Sequence, residues 1–416
     1  MAHTVITFLG VKPRETQYEY QGKYYPGQVF AEAMLKFWDF NRMLVFTTEE
    51  AKKTSWPILQ AYNDPRIQEV PIPTGKDESE IWQIFDAVIQ NVEEGEEVTF
   101  DITHGLRSIP FLVFLFAAYL RSAKRVKIRA ILYGAFELGK SDERGQIVGA
   151  PVIDLSKFAS MLEWINATDQ FIQTGSAYRL AALLEEVKQQ KEAAKALKIV
   201  SQAALLCQPL TLMEKATELG PALQQAAGSF STTSRPFTVL SNLVLKTFNQ
   251  FGLKNPTANP PNFLRREWAL IEWYREHGQL IQALTLAREF LIDFVNYKLK
   301  NEVNLTLRER RTMERAVSGL AQLWVNQKRQ NNANDRDLDE SSDAQILAPD
   351  DLNFYGRQIY DQWANWESIA ELYSELSQVR NQLNHAEHQA GAMKLRKIEQ
   401  KARDVLEQLS HLLAQI

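Results

Sequence analysis

The first third of the chain changes hydrophobic period again and again, and then the changes stop. Short apolar runs at 4–9 (TVITFL), 42–47 (RMLVFT), 67–72 (IQEVPI), 97–103 (EVTFDIT), 126–134 (VKIRAILYG) and 150–155 (APVIDL) have strand length and β-branched content. Between them, roughly 27–40, 78–93 and 108–124 repeat at the helical period; in the first, Phe30, Met34 and Phe37 share a face. Strands that are apolar at almost every position must be covered on both sides, and alternating helices do that. The pattern predicts an α/β Rossmann-like domain built on a mainly parallel sheet. Beyond about residue 155 no strand pattern remains, so an all-α part follows it.

Within that helical part, Leu, Ala, Glu, Gln and Lys dominate 156–226, and the Pro/Asn/Gly-rich stretch FGLKNPTANPPNF (251–263) reads as a boundary loop. Helical period then resumes with Leu280, Leu284, Ala287, Leu291 and Phe294 on one stripe. The stretch 326–345, NQKRQNNANDRDLDESSDAQ, is nearly free of large apolar side chains and reads as a polar loop. Three segments result: 1–155, α/β; 156–262, a helical connecting region; and 263–416, helical.

Composition narrows the function. At 416 residues the chain is long enough for two or three domains. A net charge of −4 supplies no global basic field, so any polyanion site must be a local patch. The lone cysteine, Cys207, excludes a disulfide framework within the chain and reads as a small buried apolar group in a reducing compartment. Histidine and cysteine are too sparse for a recognisable zinc site, so no metal is expected. The opening MAHTVITFLG lacks the basic region and long apolar core of a secretory signal. The longest apolar run, Ile109 to Leu120, is too short to span a bilayer. The expectation is a cytoplasmic protein with no membrane partner.

Two loops fall at carboxyl ends of predicted strands, where parallel sheets bind ligands. The first is GVKPRETQYEYQGKYYPG (10–27) and the second DITHGLRS (101–108). In the second, Gly105 allows a turn that other residues resist, Ser108 is an N-cap type and Pro110 suits a first helical turn. Free N–H groups at that helix start attract phosphate, and Arg107 adds a charged donor. Thr103 and His104 offer hydrogen bonds for a base or ribose. A capped strand–helix turn, with Asp101 holding backbone amides, explains the same residues without a ligand.

The ITFLG strand, the Thr/Tyr-containing loop after it and the Asp-x-Thr-His-Gly turn resemble the CARF domain. More narrowly, the chain resembles the accessory ribonucleases of type III CRISPR systems, which join a CARF domain to a helical HEPN domain. The likeness covers the first ~140 residues by motif and returns at HGQLIQALTLAREFL (277–291) and RNQLNH (380–385). It implies a sensor for cyclic oligoadenylate, tetra-adenylate foremost, that switches on cleavage of single-stranded RNA in antiviral defence. The activator contacts it implies are Gly10, Lys12, Arg14, Thr16 and Gln17 in the first loop, and Thr103, His104, Gly105 and Arg107 in the second. Family members often open the first loop with Gly-Thr-Gly, where this chain has Gly10-Val11-Lys12-Pro13.

RNQLNH fits the HEPN pattern of Arg, four to six residues, His. With six His in the chain, about one such spacing arises by chance, so position matters more than spacing. Trp366, Ile369, Tyr373, Leu376, Val379, Leu383 and Ala386 form an apolar stripe, and Arg380, Asn381, Asn384, His385 and His388 are expected on the opposite face. A solvated helix face is the structural alternative. The chemistry implied needs no metal: histidine titrates near neutrality, and the arginine fork fits phosphate oxygens. His385 would transfer the proton, Arg380 would stabilise the phosphate and Asn381 would orient one of them. On one helix Arg380 and His385 point roughly 140° apart, so a two-fold partner would complete the site, giving a homodimer or a higher assembly of dimers. A non-catalytic nucleotide sensor signalling through its helices is the alternative. A dinucleotide-using enzyme is disfavoured, since no G-x-G-x-x-G follows the first strand, and a DNA-binding regulator lacks its basic stripe.

Overall fold

A computed structural model describes residues 2–105, 108–143, 146–186, 190–229, 235–303, 306–333, 347–384 and 393–416. The chain divides into two compact units, Met1–Ile165 and Asn166–Ile416.

The first unit holds the strands: β1 (His3–Phe8), β2 (Thr16–Tyr20), β3 (Lys23–Gly27), β4 (Arg42–Thr47), β5 (Ile67–Pro71), β6 (Glu97–Asp101), β7 (Lys127–Gly134), β8 (Lys140–Ser141) and β9 (Ile147–Asp154). Its helices are α1 (Phe30–Phe37), α2 (Glu49–Thr54), α3 (Trp56–Gln60), α4 (Glu78–Gln90) and α5 (Ile109–Lys124), and the division between the units falls inside α6 (Ser156–Thr174). The sheet runs in the order β3-β2-β9-β7-β6-β1-β4-β5, with β8 on β9. Neighbours β5, β4, β1, β6 and β7 are parallel, as the apolar runs predict, whereas β9 returns antiparallel to β7. Ile6, Phe8, Leu44, Phe46 and Phe100 pack on one side with α4 and α5. Val5, Met43, Val45 and Leu132 pack on the other with α1 and α3. Chain order turns back between β1 and β6, the place where such sheets open a crevice.

The six predicted strands all form. Two strands that the sequence left in the first loop, β2 and β3, pair antiparallel as a hairpin, and β2 then adds beside β9. Its turn, Gln21-Gly22, takes left-handed backbone at both positions, which is the geometry of a tight hairpin.

The second unit is helical throughout the described residues after α6: α7 (Tyr178–Glu186), α8 (Lys191–Leu205), α9 (Pro209–Ser229), α10 (Arg235–Asn249), α11 (Pro260–Glu276), α12 (Leu280–Lys300), α13 (Leu307–Ala333), α14 (Phe354–Gln362), α15 (Trp366–Asn384) and α16 (Leu395–Ser410). On α12 the predicted stripe holds, with Leu284, Ala287, Leu291 and Phe294 buried. The polar stretch read as a loop from 326 instead begins as helix, since α13 continues to Ala333. Asn and Gln solvate an exposed helix face well enough once an apolar stripe upstream has nucleated it. Here Met313, Val317 and Leu320 do that.

An ionic knot ties α12, α13 and α15, with α11 packed beside it. Arg310 meets Glu289 and, at 3.2 Å, Asp293, while Arg288 meets Glu314 and donates to the Tyr373 hydroxyl at 2.9 Å. Glu267 is fully buried beside this knot, and its Oε2 has no hydrogen-bond partner among the described residues. Burial first, and the charge of Asp293 second, push its carboxyl well above the usual range, against the pull of Arg310. A carboxyl raised in this way binds more protons folded than unfolded, so stability falls as pH climbs above its ordinary value. Glu267→Gln is therefore expected to raise the thermal midpoint at pH 8 by about 3–10 °C, taking roughly 1–3 kcal/mol for an unsatisfied buried group. Near pH 4 the difference should be small. Calorimetry at the two pH values checks it, and a less stable variant at pH 8 would refute the assignment.

Candidate functional site

The ends of β1 and β6 carry the first candidate site. These strands are neighbours, with Thr7 opposite Asp101. The Thr7 hydroxyl donates to Asp101 Oδ2 at 2.6 Å, and Oδ1 accepts the Thr103 N–H at 2.8 Å. Asp101 is buried, and desolvation lifts its carboxyl to about 6 against those hydrogen bonds. It fixes the turn, as the ligand-free reading of the sequence expects. The buried Thr103 accepts the Gly134 N–H at 2.8 Å, so its side chain fastens the turn to β7.

Gly10 and His104, drawn from the two loops, are in direct backbone contact. A Cβ on Gly10 would sit 2.8 Å from the His104 carbonyl oxygen, closer than side chains come. From its other side, Ser55 donates to the Gly10 carbonyl at 2.5 Å. The His104 ring stacks on Phe136, with centroids 5.9 Å apart and planes 14° off parallel. Its Nε2 lies 3.3 Å from the Tyr18 hydroxyl. Burial keeps the Tyr18 phenol protonated and lowers the imidazole to about 4, so His104 is neutral at neutral pH. A phenol donating to Nε2 leaves Nδ1–H as a donor. Such an uncharged N–H can donate to a base, a sugar or a phosphate oxygen. The lowered pKa also means that stability held at neutral pH is lost as pH falls from about 6.5 toward 4.

Lys12 and Arg14 are exposed, and neither has a carboxylate partner among the described residues. The backbone beneath them is tied down: the Arg14 N–H donates to the Gln28 carbonyl, and the Thr16 hydroxyl donates to that of Arg14. Thr16 is buried and Gln17 faces Pro26 across the hairpin, so Tyr18 is the residue of the hairpin whose side chain hydrogen-bonds the His104 ring. Two sequence-based details change. Gly105 has no left-handed backbone; it is needed because a Cβ would lie 2.9 Å from that of Ile109. Ser108 sits at the start of α5 in helical conformation and makes no side-chain cap. Arg107 lies outside the described residues. Sequence reasoning missed Ser55, Tyr18 and Phe136, whose roles depend on contacts distant along the chain.

The second candidate site is the end of α15. Arg380 does not share a face with Asn381. It follows Leu376 by four residues, about 40° around the helix, so it belongs to the edge of the apolar stripe. It is half-buried, and its Nε is buried without a hydrogen-bond partner among the described residues. Asn381 is exposed and lines a cleft between α15 and α13. His385 and His388 lie outside the described residues, as does the side chain of Asn384. Among the described residues no group of three or more His, Cys, Asp or Glu could hold a metal ion, and no helix is long and apolar enough to cross a membrane.

Comparison with known proteins adds three findings. Residues 160–255 match the model of the second domain of CRISPR-associated protein MJ1674. The curated CRISPR-associated protein MJ1674 of Methanocaldococcus jannaschii is 33% identical over 157 residues, 37% of this chain and 24% of that protein. The match thus spans about a quarter of the relative's length. A solved structure, Enterococcus italicus Csm6 bound to cyclic hexa-2′-fluoro-hexa-dAMP, aligns over 99% of this chain and 94% of that one, at 11% identity and a TM-score of 0.42. That likeness is too distant to carry detail. The family-model match, 160–255, falls within 156–262, the stretch with no motif of its own.

Proposed function

We propose that the chain is a CRISPR-associated accessory protein with a CARF-like α/β part and an HEPN-like helical part, a reading its sequence matches support, and that it is a cyclic-oligoadenylate-activated, metal-independent endoribonuclease acting on single-stranded RNA. The observation that carries the sensor is the clasp between Gly10 and His104 at the point where strand order turns back. His104 offers a neutral imidazole, for adenine or ribose, and the same loop as Gly10 carries two exposed cations, Lys12 and Arg14, with no carboxylate partner among the described residues, for phosphates. Thr103 and Gly105 hold the turn in place, and Arg107 follows them in sequence. Tetra-adenylate is the ring we favour, gripped by the same groups from two chains of a homodimer.

The nuclease reading rests on RNQLNH and on the buried Nε of Arg380, which has no hydrogen-bond partner among the described residues. A buried donor left without a partner costs about 1–3 kcal/mol, and such groups in native proteins call for an explanation. A phosphate oxygen supplies one. In the reaction, the RNA 2′-oxygen loses its proton to a base and attacks the adjacent phosphorus, and the 5′-oxygen leaves with a proton. His385 transfers protons, Arg380 stabilises the charge on phosphorus and Asn381 orients the chain being cut.

Cleavage of labelled RNA with cyclic tetra-adenylate present should persist in EDTA and leave 2′,3′-cyclic phosphate ends. A 2′-deoxy nucleotide at the cut should block it. Dependence on added magnesium, or 3′-hydroxyl products, would sink this mechanism.

A further inference from the structure

The cleft that Asn381 enters is larger than one residue needs. It has a volume of about 640 Å³, within the span of roughly 300–1,000 Å³ typical of small-ligand sites. Its floor is apolar: Ala321 and Val325 on α13, and the ring of Tyr373 on α15. Its rim is neutral and polar, carrying the amides of Gln322, Asn326, Gln378 and Asn381 with serine hydroxyls between them. One cation, Arg329, stands on the rim, and among the described residues it has no carboxylate partner. Nearby Lys328 is by contrast paired with Glu371 at 3.2 Å. None of the four rim amides hydrogen-bonds another described side chain, whereas amides elsewhere, such as Asn353 and Asn296, are engaged.

A flat apolar floor with unspent amide donors and acceptors matches the shape of a nucleobase, whose faces are apolar and whose edges carry both kinds of group. Amide side chains pair with base edges two bonds at a time, and one free guanidinium suits one phosphate. Among the described residues no acidic group lines the cleft. We propose that this cleft binds one unpaired nucleotide of an RNA strand, with Gln322, Asn326 and Gln378 reading the base and Arg329 holding its phosphate. It rests on the ribonuclease reading only for its position: through Asn381 the cleft adjoins the proposed cutting residues, so the nucleotide it holds neighbours the cut. Base choice near the cut is then set by α13 together with Gln378 of α15, outside the RNQLNH motif.

The test uses the full chain and two readouts. Fluorescence anisotropy with a fully 2′-fluoro single-stranded oligonucleotide, which has no 2′-hydroxyl to attack, measures binding alone, with and without cyclic tetra-adenylate. Gln322→Ala with Asn326→Ala should weaken binding of the preferred sequence about tenfold and level the differences between sequences. Arg329→Gln should weaken all sequences alike and reduce the salt slope by about 0.7. Circular dichroism should show both variants folded, since these side chains are at the surface. Where wild type cuts RNA, the double variant should also lose its base preference beside the cut. If wild type binds the oligonucleotide but cuts no RNA, the ribonuclease reading fails while binding still decides the cleft. Unchanged affinity and salt slope in both variants, or no binding by wild type, would overturn the proposal.

Discussion

Replacing His385 with alanine is expected to lower activator-stimulated RNA cleavage by roughly a hundredfold to ten-thousandfold, the range a general acid–base group contributes. Activator affinity, measured by calorimetric titration, should stay within about twofold, because the sensor side chains belong to the other unit. A companion variant separates proton transfer from phosphate binding. Arg380→Lys keeps a positive charge but loses the planar fork and the Nε donor, which has no partner among the described residues. It should cut slowly and bind uncleavable RNA more weakly, whereas His385→Ala should bind that RNA normally. Cleavage by His385→Ala at the wild-type rate would remove the catalytic assignment. Loss of both cleavage and activator binding in that variant would remove the two-site model.

What the sequence disclosed follows from how local its signals are. RMLVFT, apolar through its middle, and EVTFD are buried at every position but the first, and they form central parallel strands because a doubly covered sheet buries both faces. The hairpin of TQYEY and KYYPG was hidden, since its residues are polar and aromatic at an exposed edge and gain strand form by pairing with each other and with β9. In the candidate site, Gly10 and His104 were legible as loop residues, but their contact was not. Ser55 is 45 positions from Gly10, and Tyr18 is 86 from His104, so nothing local marks either pairing. At RNQLNH the error was one of phase: Arg380 was placed opposite the stripe, yet four residues from Leu376 is nearly one full turn. Its guanidinium emerges beside the apolar core for that reason, while Asn381 reaches the cleft.

Gly10→Ala is expected to shift the activator dose response at least tenfold to higher concentration while sparing the basal cleavage rate. The added methyl would lie 2.8 Å from the His104 carbonyl oxygen, which is backbone and has no rotamer to give. Nor can Gly10 retreat freely, since Ser55 holds its carbonyl from the other side. The ends of β1 and β6 must part, and the His104 ring must leave its place between Tyr18 and Phe136. Such overpacking costs about 1–3 kcal/mol, and tenfold in affinity corresponds to about 1.4 kcal/mol. Activation by binding requires that the ring prefer the active arrangement by the coupling free energy, typically ~1–3 kcal/mol. Distortion of the same size is therefore enough to erase the response at concentrations that saturate wild type. Gly95→Ala controls for stability: its backbone is left-handed at φ +77, but a Cβ there meets no atom within 4 Å. That variant should be destabilised by about 1 kcal/mol and still bind activator normally. If Gly10→Ala titrates with cyclic tetra-adenylate as wild type does, the Gly10–His104 clasp is a packing contact and the sensor must lie elsewhere.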